Sequence, residues 1–249
     1  MCLYCGEVLG RYAFGPDHPF GPLRLPTFMA EAGERGLLDR VCMCSPVQAS
    51  KEDIARFHSK EYIERVRSAS ESGLGVLDAG DTPAFPGIYE AAATVSGSVL
   101  DAVVRIMDGR CRRAFVPIAD VHEDGRYLYP GSGFSSETGK GDAKGSKLNI
   151  SMPPGADDAA FLASWEVVET FITDHAPQFI IFQCGADSLE NDPITHLAYS
   201  PASHRHAARR LCELTDKLCE GRLLALGGGG YQLENLSAAW CAVVEAMLE

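Results

Sequence analysis

The sequence has no long apolar run and few basic residues. It contains 249 residues, of which 46% are hydrophobic, yet no apolar stretch approaches the ~20 residues that cross a bilayer. Lysine and arginine number 22 against 34 acidic residues, and no stretch is rich in them. Because nucleic-acid binding relies on neutralising phosphates, we expect no nucleic-acid partner. Because no apolar run is long enough to span a bilayer, we expect no membrane partner either. The amino terminus lacks a basic segment followed by an apolar one, so no secretory signal is expected.

Cysteine is present in an odd number, nine, and the residues are scattered along the chain. This distribution argues against a disulfide framework and predicts a protein of the reduced cytoplasm. Two short pairs, Cys2-x-x-Cys5 and Cys42-x-Cys44, are compatible with a zinc knuckle. Leu3, however, lies in an apparent core strand, so the sequence favours buried free cysteines over a metal site.

Two apolar segments each end in residues that can carry chemistry. Phe179–Phe182 reads as a strand buried on both faces of a parallel sheet, and Asp187 follows it. The second segment, Leu223–Leu226, is followed by Gly227–Gly230 and Tyr231. Ligands of open α/β sheets bind beyond the carboxyl ends of the strands, so both residues are predicted at one rim. Asp187 is a metal ligand, a catalytic carboxylate or a helix cap. Tyr231 is a mobile phenol over a site, or it follows a phosphate-binding loop or a plain turn.

The second half of the chain alternates strands and helices, which predicts a parallel sheet with right-handed crossovers in one α/β domain spanning residues 1–249. Further strands are predicted within residues 1–10, at 41–43, within 113–124 and at 148–153. Helices are predicted at 27–38, 60–70, 88–107, 157–175, 200–220 and 233–248, with Ser50 capping a shorter one.

Three histidines need separate interpretation. Asp120 and His122 lie two residues apart on one face of a predicted strand, where they either bind zinc or form a hydrogen-bonded pair. His204 and His206 fall on different faces of a helix and are predicted to face solvent. No G-x-S-x-G nucleophile elbow occurs.

Several motifs together resemble the superfamily of histone deacetylases, acetylpolyamine amidohydrolases and acetoin-utilisation proteins. The resemblance implies the arginase-like fold, a three-layer αβα arrangement around a parallel sheet. The motifs are HPFGPLR at 18–24, HSKEYIERV from His58, GDTPAFP with Asp81, HEDGRYLYPGSG at 122–133, QCGADSLENDP at 183–193 and GGGGY at 227–231.

The resemblance also implies a reaction: zinc held by two aspartates and a histidine polarises an acetyl carbonyl, and a histidine pair moves the protons. It assigns Asp187 as a zinc ligand and Tyr231 as the donor to the oxyanion. Asp81, Gly229 and Gly230 are then substrate-binding residues. The implied substrates are acetylated lysine or small acetylated amines such as acetylpolyamines.

The chain departs from the family pattern after Ile118. The family has an adjacent His-His pair and then a D-x-D-x-H strand with the other two zinc ligands, and neither occurs in this sequence. About two βα units, roughly 60 residues, are therefore expected to be missing near residues 118–119. Neighbouring strands must then close the gap or leave core uncovered.

Without these residues we expect an inactive or very weak protein. It is either a non-catalytic remnant that binds a ligand or partner, or a defective gene product. A replacement metal site of Asp120, His122 and Asp187 is a further alternative.

Overall fold

The computed structural model describes residues 1–15, 18–78, 80, 82–117 and 132–249. Within them, every strand-to-strand pairing is parallel, as predicted, and the sheet has five strands in the order β2-β1-β3-β5-β4. Parallel neighbours require crossover connections, which the helices between the strands provide. The strands are β1 (Cys2–Tyr4), β2 (Cys42–Cys44), β3 (Arg113–Val116), β4 (Ile180–Gln183) and β5 (Leu223–Leu226).

Most helices follow the predicted pattern, but the helix predicted at 27–38 lies at Arg24–Glu34. Those predicted at 88–107 and 233–248 have the predicted bounds, and Asp157 and Ser200 cap the starts of the two helices that follow them. None of the helices in the described ranges combines the length and apolar character that a bilayer span requires. The α-helices are α1 (Glu7–Gly10), α2 (Arg24–Glu34), α3 (Lys51–Ile54), α4 (Lys60–Ser72), α5 (Ile88–Met107), α6 (Asp158–His175), α7 (Pro201–Leu218) and α8 (Leu233–Leu248).

Side chains of β1 and β3 show how helices cover both faces of the sheet. The hydroxyl of Tyr4 donates to the carboxylate of Asp101 on α5, at 2.6 Å. Leu3 points to the opposite face because successive strand residues alternate. Its partner across the sheet, Phe115, packs against Phe28 of α2 and Trp240 of α8, with ring centroids 5.6 and 6.0 Å away. The arrangement is the predicted three-layer αβα sandwich.

The far side of the sheet differs from the prediction. β4 lies at the edge of the described sheet, and Ile181 is 58% exposed, so this strand is not buried on both faces. The segment 148–153, predicted as a strand, has no strand assignment, and its Leu148 and Ile150 are each 36% exposed. Within the described residues no strand pairs with this segment, although β4 has a free edge.

The first ten residues form less strand than predicted. β1 ends at Tyr4, and a short helix begins after Gly6. A Cβ atom on Gly6 would lie 2.8 Å from the ring of Pro46, so this close approach requires glycine where the chain turns.

Candidate active site

The loops after β4 and β5 leave the sheet side by side and contact each other. β4 and β5 pair in register up to Gln183 and Leu226. The amide of Ala186 in the first loop donates to the carbonyl of Gly229 in the second, at 2.9 Å. The amide of Gly227 donates to the carbonyl of Val116 at the end of β3, also at 2.9 Å. The predicted convergence of the two loops at one rim is therefore present.

Close packing at this rim depends on Gly230. Its φ angle is +118°, a value that side-chain-bearing residues rarely adopt. A Cβ atom at this position would lie 2.8 Å from the Cβ of Ala186. Gly229 and Gly230 are both buried, so the glycine run lets the backbone lie directly against the Asp187 loop.

Asp192 joins the two loops through its carboxylate. It is 7% exposed and accepts hydrogen bonds from the amides of Tyr231 and Ile194, both at 2.9 Å, and from that of Thr195 at 3.4 Å. Asp192 thereby fixes the backbone from which the Tyr231 side chain extends. From the sequence alone, Asp192 was assigned no role. Its position five residues after Asp187 and directly before Pro193 could have indicated one.

Arg24 fixes the glycine loop from the other side. Its guanidinium donates to the carbonyl of Gly230 at 3.0 Å and to that of Gly228. It is 5% exposed, and its Cζ lies 4.0 Å from the ring centroid of Phe20 and 5.4 Å from that of Trp240. The arginine that ends the HPFGPLR motif therefore holds a loop more than 200 residues further along the chain. Its position in that motif was the only sequence signal for this contact.

Asp187 lies in a short 3₁₀ turn, Ala186–Ser188, directly after β4. It is 6% exposed, and its carbonyl accepts a hydrogen bond from the hydroxyl of Thr195. Asp187 also lines a cavity of about 300 Å³ whose walls include Phe182 of β4 and Trp165 of α6. On its far side the cavity is bounded by residues 149–152, within the segment that does not form the predicted strand.

His204 lies in the wall of this cavity and not in solvent, so its predicted exposure was wrong. It is 7% exposed, and its Nε2 lies 3.0 Å from the carbonyl of Gly185 and 3.5 Å from the hydroxyl of Ser188. Burial lowers the pKa of His204, so the neutral ring is favoured. His206 is half-buried with its ring edge-on to Trp165, so it too does not face solvent freely. The helical period alone could not show which face of α7 meets the rim.

At this rim the described part of the chain shows no cluster of three metal-ligating side chains. In the described ranges, one group of three side chains has the spacing of metal ligands, namely Cys2, Cys42 and Cys44. Asp187 does not belong to this group. The described residues therefore do not fit a three-ligand zinc site at Asp187.

Three predicted site residues, Asp81, Asp120 and His122, lie outside the described residues. Next to the first of them, the carboxylate of Asp78 accepts hydrogen bonds from the amides of Gly80 and Thr82, at 2.9 and 3.0 Å.

Comparison with known proteins identifies relatives of the whole chain. A probable deacetylase of Archaeoglobus fulgidus is 27% identical over an alignment of 287 residues that covers 90% of this chain and 79% of that protein. The acetoin utilization protein AcuC of Bacillus subtilis is 25% identical over 301 residues, covering 93% and 78%. Histone deacetylase 19 of Arabidopsis thaliana is 24% identical over 308 residues, covering 97% of this chain but only 60% of that protein.

A solved structure agrees with the fold. The crystal structure of the HDA15 HD domain matches with a TM-score of 0.90 at 21% identity, and it covers 99% of this chain and 88% of that one. The family model described as "Histone deacetylase domain" matches twice, over residues 18–120 and again over residues 116–247. Together these matches extend over most of the sequence, and the chain belongs to the histone deacetylase domain family.

Proposed function

We propose that this protein descends from zinc-dependent amidohydrolases that remove acetyl groups from acetyl-lysine or small acetylated amines, and that its own turnover is absent or very weak. The observation that carries the proposal is the absence of any adjacent histidine pair and any D-x-D-x-H sequence in the 249 residues. Its net charge of −12 and nine free thiols support a cytoplasmic protein without a nucleic-acid partner.

The comparisons support a deletion inside a single domain. The two matches of the family model overlap at residues 116–120, which is where the sequence departs from the family pattern. The alignments with the three relatives are 287 to 308 residues long, although the chain has only 249, so each must contain gaps in this chain. The exposed edge at β4 is the result expected if a strand that once covered it is missing.

The residues that remain form part of such a site and lack its histidine pair and two of its three zinc ligands. We assign Asp187 the place of one ancestral zinc ligand and Tyr231 that of the oxyanion donor, with Asp81, Gly229 and Gly230 as substrate-binding residues. A zinc ion in a full ligand set would polarise the acetyl carbonyl. A single carboxylate does not give the affinity of a multi-ligand site.

Amide hydrolysis tests this proposal directly. Acetyl-lysine peptide and acetylated polyamine would be incubated with the protein and excess zinc, next to an Asp187→Ala variant shown to unfold cooperatively. We expect product formation at the uncatalysed rate for both proteins. Zinc-dependent turnover that Asp187→Ala abolishes would contradict the proposal and point to a replacement site with Asp120 and His122.

The cavity beside Asp187 favours a second candidate function, non-catalytic binding of a small acylated ligand. A cavity of about 300 Å³ is at the lower end of the range for ligand pockets, and most of its lining is apolar. Trp165 lines it, whereas the other tryptophan, Trp240, is fully buried in the core. Ligand titration should therefore change tryptophan fluorescence, and Trp165→Phe should remove the change. If the tryptophan fluorescence of the parent protein did not change during the titration, this function would be rejected.

A folded state is required for either function. Cooperative urea unfolding would reject a defective, misfolded gene product, whereas a molten state would show dye binding and no cooperative transition.

A further inference from the structure

A cluster of thiols lies on the α5 face of the sheet, away from the Asp187 rim. The Sγ atoms of Cys2, Cys42 and Cys44 all lie within 4.8 Å of one another. In a tetrahedral zinc site with bonds of about 2.3 Å, neighbouring sulfurs are about 3.8 Å apart. The three thiols therefore need only a small movement to meet a common ion.

The strand register explains why these side chains converge. Cys2 pairs directly with Cys42 across the parallel strands β1 and β2, so the two side chains leave the same face of the sheet. Cys44 lies two residues further along β2 and therefore shares that face. Cys5, which the sequence grouped with these residues, is not part of the cluster.

The surroundings suit a bound cation with thiolate ligands. Cys42 is exposed while Cys2 and Cys44 are 3% and 5% exposed, so an ion can enter from one side and be held in a dry site. A set of three thiolates selects soft d¹⁰ ions such as Zn²⁺ over Mg²⁺ or Ca²⁺.

We propose that Cys2, Cys42 and Cys44 form a structural zinc site that joins the edge strand β2 to β1. β2 has only three residues, and in the described sheet it pairs on one side only. A metal link at both of its terminal residues would hold this edge more firmly than the few backbone hydrogen bonds do. The site is independent of the proposed function because it shares no residue with the Asp187 rim.

Cobalt titration of the reduced protein tests the site, because Co²⁺ bound by thiolates gives an ultraviolet charge-transfer band. We expect one Co²⁺ per chain, displaced by Zn²⁺, with tighter binding at higher pH because thiol protons must leave. Cys42→Ser should weaken binding at least tenfold, and Cys5→Ser, the matched control, should leave it unchanged. Asp187→Ala should also retain the band, which separates this site from the Asp187 rim.

Cys42 is exposed, so its substitution should not prevent folding, and circular dichroism would confirm this. Three results would overturn the proposal: no charge-transfer band, a band that survives both Cys42→Ser and Cys44→Ser, or equal loss in Cys5→Ser. A mass two hydrogens lower in the unreduced protein, mapped to Cys2 and Cys44, would assign the cluster to a disulfide instead.

Discussion

The rim after β4 and β5 and the open sheet edge along β4 are neighbours, but they are organised very differently. At the rim, Arg24, Asp192 and Gly230 fix two loops through buried contacts that come from distant parts of the chain. Along the edge, Ile181 is 58% exposed and a cavity separates β4 from residues 149–152. The loops that carry Asp187 and Tyr231 are therefore fixed by buried contacts, although Ile181 on the neighbouring edge strand is mostly exposed.

This difference has a physical reason. The rim is held by elements on its own side of the sheet, namely β3, β5, α2 and α8, and their contacts do not require a strand beyond β4. The segment 148–153, by contrast, pairs with no described strand, and its Leu148 and Ile150 are each 36% exposed. The following changes test how far the rim is independent of the edge.

The largest effect is expected for Arg24→Ala. The change removes two hydrogen bonds from a buried guanidinium and leaves the Gly228 and Gly230 carbonyls without that donor, at a cost of about 3 kcal/mol in the free energy of unfolding. Urea denaturation would measure the loss. Arg40→Ala, at an exposed arginine, is the control and should change stability by less than about 0.5 kcal/mol. Equal effects would show that Arg24 does not hold the rim.

Gly230→Ala should be the next most damaging substitution. The new Cβ would meet Ala186 at 2.8 Å and force a strained φ angle, for a loss of about 2 to 3 kcal/mol. Gly36→Ala is the matched control, because Gly36 has a φ of +66° with no atom within 4 Å of the added Cβ. It should cost about 1 kcal/mol, since only the left-handed backbone is then penalised. Similar losses in both variants would mean that the two loops do not pack as closely as described.

Stability at the rim should also depend on pH through His204. Burial holds its folded-state pKa below the unfolded value of about 6.5, so the unfolded chain binds the proton first. The stabilisation is complete above that value and is lost as the pH falls through it, by about 1 to 2 kcal/mol between pH 7 and 5. Chemical denaturation at each pH would measure the slope.

His204→Gln should flatten this slope. His206→Gln should change it less, because burial also lowers the pKa of His206 but its ring is only half-buried. If both variants kept the parent slope, the pH dependence would have another origin.

The smallest effect on stability is expected at the open edge. Ile181→Lys should change the free energy of unfolding by less than about 0.5 kcal/mol, because the side chain is already mostly in water. It should nevertheless reduce light scattering on heating, since a charge on an exposed edge strand opposes strand-to-strand association. Val104→Lys, on a similarly exposed residue of α5, is the control. A large loss of stability at residue 181 would mean that the edge is better covered than its exposure indicates.

Much of the fold was predictable because local sequence patterns determine where many of the helices and strands begin and end. The bounds of α5, α8 and β5 follow from their periodicity or apolar runs, and Ser50 forms the expected cap with Asp53. The prediction that β4 is buried on both faces was wrong, because an apolar run does not reveal whether a strand has a second neighbour.

The rim was predictable only in part. Asp187 and Tyr231 were found because each follows an apolar strand in a parallel sheet. The roles of Arg24, Asp192 and His204 were missed because their partners lie far away in sequence or across a helix face. The thiol cluster needed the register of β1 and β2, which the spacing of the cysteines does not determine.

The most direct test of the account is the zinc content of protein that lacks the thiol cluster. A Cys42→Ser/Cys44→Ser protein would be dialysed against zinc and then buffer, and compared with the same protein carrying Asp187→Ala. The account predicts no bound zinc in either. One zinc per chain that depends on Asp187 would contradict the central claim that the rim is retained without a catalytic metal site. Zinc that remains in both proteins would count against the thiol site instead.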